Sequence, residues 1–366
     1  MRSIWWMLAV AWSCDHAAPI TSPPAVARGE APAAPITTEI AAPIAAPVDA
    51  GSPDAGAGAP GAPWVTLATG QSGPTQLAVT DTAVVWLDET GGQVMSVPKA
   101  GGTPVVLAHD QERPLDLAVD ATTVYWTTRT GNGDSDSMTA PHATGGVWSV
   151  PLAGGKVASI AKGRAFPDAI AVDATSLYFG EQGLLQHAGA QLSKVARSGG
   201  AVTAVRAGEP GGIAVDGDHV YWSVGGTCES VNGAKMPDDG SMWSSPIAKP
   251  SPKQLASKLR CPEKIATDAD SIYVADNDTG AILAIPKAGG APVVVVQDAP
   301  GTRWLAVDAT TVYWINQRTG TVKRRAKAGG PVELLASRKD PQGIAVDDHF
   351  VYLTDSELGT VERMPK

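Results

Sequence analysis

The chain has 366 residues, of which 43% are hydrophobic and 18% are charged, and its formal net charge is −9 at pH 7. This acidic balance argues against nucleic acid as a partner, because proteins that bind nucleic acid need a basic surface. The roughly 300 residues that follow residue 63 are enough to bury a large hydrophobic core.

The N-terminus is typical of an exported protein. Residues 1–13 combine a short positive start with an apolar run from Ile4 to Trp12, which is too short to span a bilayer as a mature helix and is typical of a secretory signal peptide. Cys14 follows a small residue and resembles the cysteine of a bacterial lipobox. We therefore predict lipidation at Cys14, with simple secretion or an uncleaved anchor as the alternatives.

The next segment, residues 14–63, is dominated by Ala and Pro, with Gly and Ser, and has no aromatic residue. Proline interrupts helices and sheet ladders, so this composition cannot build a packed core. We predict a disordered, locally extended linker, whose reach is at most on the order of 150 Å at about 3.1 Å per residue.

Residues 64–366 contain seven copies of one pattern, with a period of about 40 residues. Each copy begins with a continuous apolar run, which is typical of a strand covered on both faces. A run of β-branched and aromatic residues follows, then a third run, a glycine-containing turn and a fourth run. The first runs share an alanine, at Ala78, Ala118, Ala171, Ala214, Ala266, Ala306 and Ala345. Four strand-like runs per copy predict an all-β, seven-bladed β-propeller.

The two ends of the repeat region complement each other. The seventh copy stops after its third run, whereas residues 64–68 resemble the fourth runs of other copies, such as residues 331–336. We therefore predict one domain, residues 64–366, in which the N-terminal strand completes blade seven and closes the ring.

The first and second runs of some copies resemble the repeats of a known family. Leu117-Ala-Val-Asp120 with Val124-Tyr-Trp-Thr127, and Ile344-Ala-Val-Asp347 with Tyr352-Leu-Thr-Asp355, resemble the YWTD repeats of the LDL-receptor family. They are also similar to NHL repeats and to the wider TolB-like propellers. The resemblance covers about residues 64–366 and implies a propeller that binds proteins, peptides or glycans. Because YWTD propellers usually have six blades, it also implies a six-bladed ring as the alternative.

An aspartate follows the first run in six of the seven copies, at Asp120, Asp173, Asp216, Asp268, Asp308 and Asp347. An Asp that opens a turn commonly accepts hydrogen bonds from its own backbone. Six equivalent copies indicate a repeated structural role, so we interpret these residues as turn-forming rather than catalytic.

Three long insertions are expected on the same face of the propeller, which we call the insertion face. They span residues 127–146, 180–191 and 223–241, between the second and third runs of blades two, three and four. Because function often sits on loops held by a rigid scaffold, we predict the binding surface here, with neutral loop growth as the alternative. Cys228 and Cys261 fall on this face and, in an exported protein, predict a disulfide, with two free thiols as the alternative.

Polar residues at the ends of two sets of runs are predicted to surround the channel mouth on the insertion face. The predicted rim comprises Asp88, Asp116, Asp168, Glu181, Glu263, Asp276, Arg303, Asn316 and Asp355. It is acidic, with Arg303 as its cation, and would attract cationic ligands or basic peptide segments. Ordinary solvated loop ends are the alternative interpretation.

Motifs for metals and catalysis are sparse. Asn132, Asp134 and Asp136 have the alternating oxygen spacing of a calcium loop, but Ser137 and Ala143 replace the Gly and Glu of that loop. We therefore expect a solvated loop and predict no metal and no cofactor. The sequence has no paired-histidine zinc motif, nucleophile elbow or phosphate loop.

Together these features favour a monomeric, non-enzymatic, extracytoplasmic lipoprotein, lipid-anchored to a bacterial cell envelope or secreted. Its propeller would bind a protein, peptide or glycan, and only the lipid anchor would contact a membrane. The alternative is a lyase or hydrolase with its site at the channel mouth, where Asp168, Glu181 and His187 would be tested first. A structural envelope protein without a specific ligand is the third hypothesis.

Overall fold

A computed structural model of the protein describes residues 63–129, 145–183, 189–225, 238–297, 299 and 301–366. Within these ranges every regular element is a β-strand, and the strands form seven antiparallel four-stranded sheets. The same ranges contain no helix whose length and apolar character would let it span a membrane. The predicted signal peptide and, apart from Pro63, the predicted linker lie outside the described residues.

The strands follow one another from the centre of the ring outwards. The N-terminal strand is β1 (Val65–Ala68). Blade one contains β2 (Pro74–Val79), β3 (Ala83–Asp88), β4 (Gln93–Pro98) and β5 (Val105–Ala108). Blade two contains β6 (Pro114–Val119), β7 (Thr123–Arg129), β8 (Gly145–Pro151) and β9 (Ala158–Arg164). Blade three contains β10 (Pro167–Val172), β11 (Ser176–Glu181), β12 (Gln191–Ala196) and β13 (Thr203–Ala207).

The remaining four blades repeat this order. Blade four contains β14 (Pro210–Val215), β15 (His219–Val224), β16 (Gly240–Pro246) and β17 (Lys253–Leu259). Blade five contains β18 (Pro262–Thr267), β19 (Ser271–Asp276), β20 (Ala281–Pro286) and β21 (Val293–Val296). Blade six contains β22 (Thr302–Val307), β23 (Thr311–Asn316), β24 (Thr321–Ala326) and β25 (Glu333–Ser337). Blade seven contains β26 (Pro341–Val346), β27 (Phe350–Asp355), β28 (Thr360–Pro365) and β1.

The two ends of the described chain close the ring. β1 pairs antiparallel with β28, and Thr66 lies opposite Glu362 in the register of the two strands. At the centre, the inner strands of neighbouring blades pack against each other, and β2 of blade one contacts β26 of blade seven. The prediction of seven blades closed by residues 64–68 is therefore confirmed, and the six-bladed alternative is wrong.

The hydrophobic core lies between the blades. The four tryptophans of the second strands are no more than 1% exposed, at Trp86, Trp126, Trp222 and Trp314. Trp86 and Leu77 of blade one, for example, form one buried cluster with Tyr352 and Leu67 of blade seven. The aromatic residues of the second runs therefore stabilise the contact between neighbouring sheets.

The turn that follows each inner strand carries a cluster that we call the interblade clamp. In blade five, Asp268 Oδ1 accepts hydrogen bonds from the backbone N–H groups of Asp270 and Ser271. Asp268 Oδ2 accepts the Tyr273 hydroxyl at 2.8 Å and Lys327 Nζ of blade six at 2.5 Å. Equivalent clamps are Asp120–Tyr125–Arg197, Asp216–Tyr221–Lys287, Asp308–Tyr313–Lys366 and Asp347–Tyr352–Lys99. The turn-forming role of these Asp residues is confirmed, and the structure adds a link to the next blade.

The clamp of blade three lacks its cation. Asp173 Oδ1 bonds its own turn, but Asp173 Oδ2 is buried without a hydrogen-bond partner in the described part of the chain. The position that holds Lys287 in blade five holds Ile247 in blade four, and both residues donate the same backbone hydrogen bond to the preceding turn. Ile247 therefore occupies the place of the missing ammonium group.

We predict that Ile247→Lys completes this clamp and stabilises the propeller by about 1 kcal/mol. A hydrogen bond between charged groups contributes roughly 1.5–3 kcal/mol, and the lost packing of the isoleucine offsets part of that gain. The matched control is Leu152→Lys, because blade one has Thr80 in place of the clamp Asp and offers the new lysine no carboxylate. Urea unfolding followed by tryptophan fluorescence measures both, and equal stabilities of the two variants would contradict the prediction.

The clamps also predict how stability depends on pH. Burial alone would raise the pKa of Asp268, but hydrogen bonds from Lys327 and from the turn outweigh it and lower that pKa to about 2. The pKa of Asp308 is lowered to about 2 by Lys366 and its turn, again against the effect of burial. Because an unfolded Asp has a pKa of about 4, this stabilisation is complete above that pH and is lost as the pH falls towards 2.

The measurement is the urea midpoint of the wild-type chain and of Asp268→Asn at several pH values between 6 and 2. Asp268→Asn should be less stable at pH 6 and should lose less of its remaining stability on acidification, because one of the titrating carboxylates is gone. Parallel acid profiles for the two proteins would argue against this assignment.

Candidate ligand-binding site

The channel mouth on the insertion face is formed by the first residues of the inner strands. Six of the seven inner strands begin with proline, at Pro74, Pro114, Pro167, Pro210, Pro262 and Pro341. In these strands the pairing with the second strand is irregular directly after the proline, as expected for a β-bulge. A bulge changes the direction of the side chains that follow it. In β6 and β18 the third residues contact each other across the ring.

These two residues form an ion pair that crosses the channel. Lys264 of blade five and Asp116 of blade two lie on opposite sides of the ring, and Lys264 Nζ is 2.7 Å from Asp116 Oδ2. Their side chains are only 18% and 14% exposed. Asp116 Oδ2 also accepts a hydrogen bond from the backbone N–H of Ile170 in blade three. The pair therefore links three blades through the centre of the propeller.

The surroundings of Lys264 keep its ammonium group charged. Burial alone would lower the pKa of Lys264, but the carboxylates of Asp116 and Asp168 outweigh it and raise that pKa. The ammonium group also lies 5.3 Å from the centre of the Trp304 ring, where a cation is attracted by the ring face. A protonated lysine is not a nucleophile, so Lys264 is a fixed positive charge at this site.

The polar residues at the ends of the second strands are buried inside the loops, not exposed on the rim. Asp88 is 3% exposed and accepts hydrogen bonds from the N–H groups of Ser72 and Gly91. Asp276, Asn316 and Asp355 are 1–4% exposed and bind loop N–H groups in the same way. An Asp or Asn satisfied by buried amides holds a loop in shape and has little capacity left for a ligand.

Glu181, at the equivalent position of blade three, is also buried and fully engaged. It is 2% exposed, and its Oε1 lies 2.6 Å from both Arg164 Nη2 and Ser193 Oγ. Burial alone would raise the pKa of Glu181, but the hydrogen bonds from Arg164 and Ser193 outweigh it and lower that pKa. This carboxylate therefore stays ionised and is not set up as a general acid.

The remaining rim residues have partners on the same face. Asp168 Oδ2 accepts a hydrogen bond from Gln182 Nε2 at 2.7 Å. Glu263 accepts Arg303 Nε at 3.1 Å and, with its other oxygen, Asn277 Nδ2 at 3.1 Å. The carboxylates of the predicted rim are therefore engaged by internal hydrogen bonds and ion pairs, while the Arg303 side chain remains 52% exposed.

A pocket of about 290 Å³ opens on the insertion face between blades five and six. We call it the arginine pocket, and it is lined by Asn277, Gly301, Arg303, Gln317 and Arg318. Gly301 has a φ of +74°, and a Cβ atom there would lie 3.2 Å from Arg318 Cβ, so glycine keeps this wall open. Arg318 is exposed and, among the described residues, has no hydrogen bond or ion pair.

Sequence reasoning identified Arg303 but missed the other four residues of the arginine pocket. All four lie in short turns, directly after a second strand or directly before an inner strand, at places where the blades have no insertion. The available signal was positional: Asn277 and Gln317 each directly follow the last residue of a second strand, in adjacent blades.

Several predicted features lie outside the described residues. These are the lipidation site Cys14, the calcium candidates Asn132, Asp134 and Asp136, the candidate His187, and Cys228. Cys261 is buried, at 6% exposed, but its disulfide with Cys228 stays a prediction. The part of the chain that is described contains no group of three or more His, Cys, Asp or Glu side chains that could hold a metal ion.

Comparison with known proteins supports the fold and leaves the family open. No family model and no curated protein matches the sequence. A structure of virginiamycin B lyase from Staphylococcus aureus superposes with a TM-score of 0.62 at 12% identity, covering 83% of this chain and 98% of that one. The WD40 propeller domain of Doa1 gives a TM-score of 0.59 at 10% identity, covering 83% and 97%. A nidogen/laminin complex gives 0.51 at 17% identity, covering 70% and 95%.

At these identities the similarity shows the fold alone. The predicted resemblance to propeller repeat proteins is confirmed at that level. The similar structures include both an enzyme and a component of a protein complex, so they do not decide between catalysis and binding.

Proposed function

We propose that this chain is a non-enzymatic binding protein whose propeller holds a protein, peptide or glycan on its insertion face. The observation that carries the proposal is the arginine pocket beside the cross-channel ion pair. It presents hydrogen-bonding groups to solvent at the place where the rigid inner strands meet the loops. A few placed polar groups in a concave site are the usual means of orienting a ligand.

The state of the ionisable groups at the channel mouth favours binding over catalysis. Lys264 is held protonated by two carboxylates, and Glu181 is held ionised by an arginine and a hydroxyl group. Among the histidines that the structure describes, His219 begins β15 and His349 lies in the turn before β27, both on the opposite face, and His109 follows the outer strand β5. General acid–base catalysis needs a group that can exchange its proton near neutral pH.

The proposed setting is extracytoplasmic, with a lipid on Cys14 or simple secretion. The support is the sequence of residues 1–63, in which an apolar segment, a cysteine and an Ala/Pro-rich linker precede the propeller. The nidogen/laminin complex provides a structural parallel for a propeller with a protein partner. A lyase or hydrolase remains the alternative, and a structure of virginiamycin B lyase with quinupristin is its parallel.

The experiment is a screen of the immobilised full chain against a glycan array and a displayed peptide library. Each hit is then measured with the double variant Arg303→Gln/Arg318→Gln and with the control Lys156→Gln/Lys249→Gln, whose lysines are exposed elsewhere. Both variants remove two positive charges. A ligand whose binding is weakened only by the arginine variant supports the proposal. Chemical turnover of a bound ligand, or the absence of any binding ligand, would count against it.

A further inference from the structure

We infer that the arginine pocket binds the carboxylate of an acidic peptide segment. This inference deepens the proposed function and depends on it, because it names the chemistry of the ligand at the same site. The inferred ligand is anionic, whereas the sequence predicts an acidic rim, which would attract a cationic ligand.

An anionic ligand is expected because the carboxylates at this site already have partners, whereas the guanidinium groups keep free donors. The carboxylates of Asp276 and Asp355 accept hydrogen bonds from loop amides, and those of Glu263 are occupied by Arg303 and Asn277. Arg303 uses only its Nε in that contact and is 52% exposed, which leaves its two terminal nitrogens as donors. Since Arg318 has no partner among the described residues, the groups directed to solvent here are mainly guanidinium donors.

The hydrogen-bonding pattern of the pocket matches a peptide that carries a carboxylate. A guanidinium group binds a carboxylate through two parallel N–H···O bonds, which gives both strength and orientation. Gln317 donates its Nε2 to Gln342, and Asn277 donates its Nδ2 to Glu263, so both amide oxygens are left to accept. Two cations and two acceptors side by side suit an acidic side chain flanked by backbone N–H groups.

Size and surface chemistry favour a peptide over a glycan. A volume of about 290 Å³ is at the lower end of ligand pockets and fits one or two side chains. The described residues that line it include no aromatic side chain, so this lining offers no flat apolar ring on which a sugar could pack. We therefore commit to a peptide, with an acidic glycan as an outcome that the test can reveal.

The test measures binding of defined probes to the full chain by fluorescence anisotropy. The probes are Gly/Ser peptides that carry two Glu residues, the same peptides with Gln instead of Glu, and an oligogalacturonate. The Glu peptides should bind about tenfold more tightly than the Gln peptides, because a charge-assisted hydrogen bond is roughly twice as strong as one to a neutral amide. Arg318→Gln and Arg303→Gln should each weaken the affinity for the Glu peptides about tenfold. The control Lys156→Gln/Lys249→Gln should change that affinity less than about twofold.

Three results would overturn the inference: equal affinity for the Glu and Gln peptides, tighter binding of the oligogalacturonate, or equal losses in the arginine and lysine variants. Arg318 is exposed and unpaired in the described structure, so Arg318→Gln should keep the wild-type melting temperature and test binding alone. The two proposals can fail separately. If a library ligand binds with the same affinity after both arginines are replaced, the carboxylate inference is wrong but the binding function stands. If no library ligand binds the chain, the proposed binding function itself is wrong.

Discussion

A chain that lacks residues 1–69 is expected to lose roughly 4 kcal/mol or more of its free energy of unfolding. The deletion removes β1, which provides the outer strand of blade seven and pairs with β28. Leu67 and Ala68 are 6% and 4% exposed and pack in the cluster that joins blade seven to blade one. A buried leucine contributes about 1.5–3 kcal/mol, and each lost backbone hydrogen bond adds about 1 kcal/mol.

Two matched comparisons separate ring closure from a general effect of truncation. A chain that lacks only residues 1–62 keeps β1 and should unfold at the urea concentration of the full chain. In the full chain, Leu67→Ala should cost about 2–4 kcal/mol, whereas Val65→Ala, at a position that is 47% exposed, should cost less than about 0.5 kcal/mol. If both truncated chains were as stable as the full chain, the closure of the ring by β1 would be disproved.

The second large effect is expected at the cross-channel ion pair, where Lys264→Met should destabilise the propeller by about 3 kcal/mol. The substitution keeps most of the unbranched side chain but leaves the Asp116 carboxylate largely buried without its cation. Removing one partner of a buried pair typically costs about 3–5 kcal/mol, because the other charge stays desolvated. Lys249→Met, at an exposed lysine, is the control and should be nearly neutral.

The pH dependence of Lys264→Met provides an independent check. Burial raises the pKa of Asp116 even with Lys264 present, and loss of the lysine should raise it further. An Asp whose folded-state pKa is raised holds its proton more tightly in the folded protein than in the unfolded chain, so stability falls as the pH rises from the unfolded pKa of about 4 through the raised pKa. The defect measured by urea unfolding should therefore be smaller at pH 4 than at pH 7. A defect that is independent of pH would indicate lost packing and not an unpaired carboxylate.

Much of the fold could be predicted because the propeller is encoded locally and repeatedly. Each blade is formed by consecutive strands, so one pattern of four runs specifies one sheet, and seven copies specify seven sheets. The closing strand was predictable for the same reason, since residues 64–68 have the pattern of a fourth run. The clamp Asp residues were also assigned to turns from their repetition alone.

The candidate site was harder to predict because it depends on residues that are distant in the chain. Asp116 and Lys264 are separated by 148 positions, and only closure of the ring brings them together. No local pattern marks Lys264, which has no equivalent charge in the other inner strands except Asp116. The link between them is a property of the assembled ring and not of any one repeat.

A local sequence pattern marks the buried Asp and Asn residues at the ends of the second strands. In the four blades without an insertion, an Asp or Asn is followed four residues later by a glycine with a φ of +61° to +66°: Asp88 and Gly92, Asp276 and Gly280, Asn316 and Gly320, Asp355 and Gly359. An Asp or Asn at the start of a tight turn that ends in a left-handed glycine has its side chain occupied by turn amides. Two of these short turns, after Asp276 and after Asn316, contribute residues to the arginine pocket.

Hydrogen–deuterium exchange of the full chain, with and without the tightest peptide from the library, tests most directly that the insertion face of blades five and six is the binding surface. The proposal predicts slower exchange in residues 301–303 and 317–320 and no change in the turn at residues 268–271 on the opposite face. Protection confined to that opposite face or to the outer strands, with residues 301–303 and 317–320 unchanged, would contradict it.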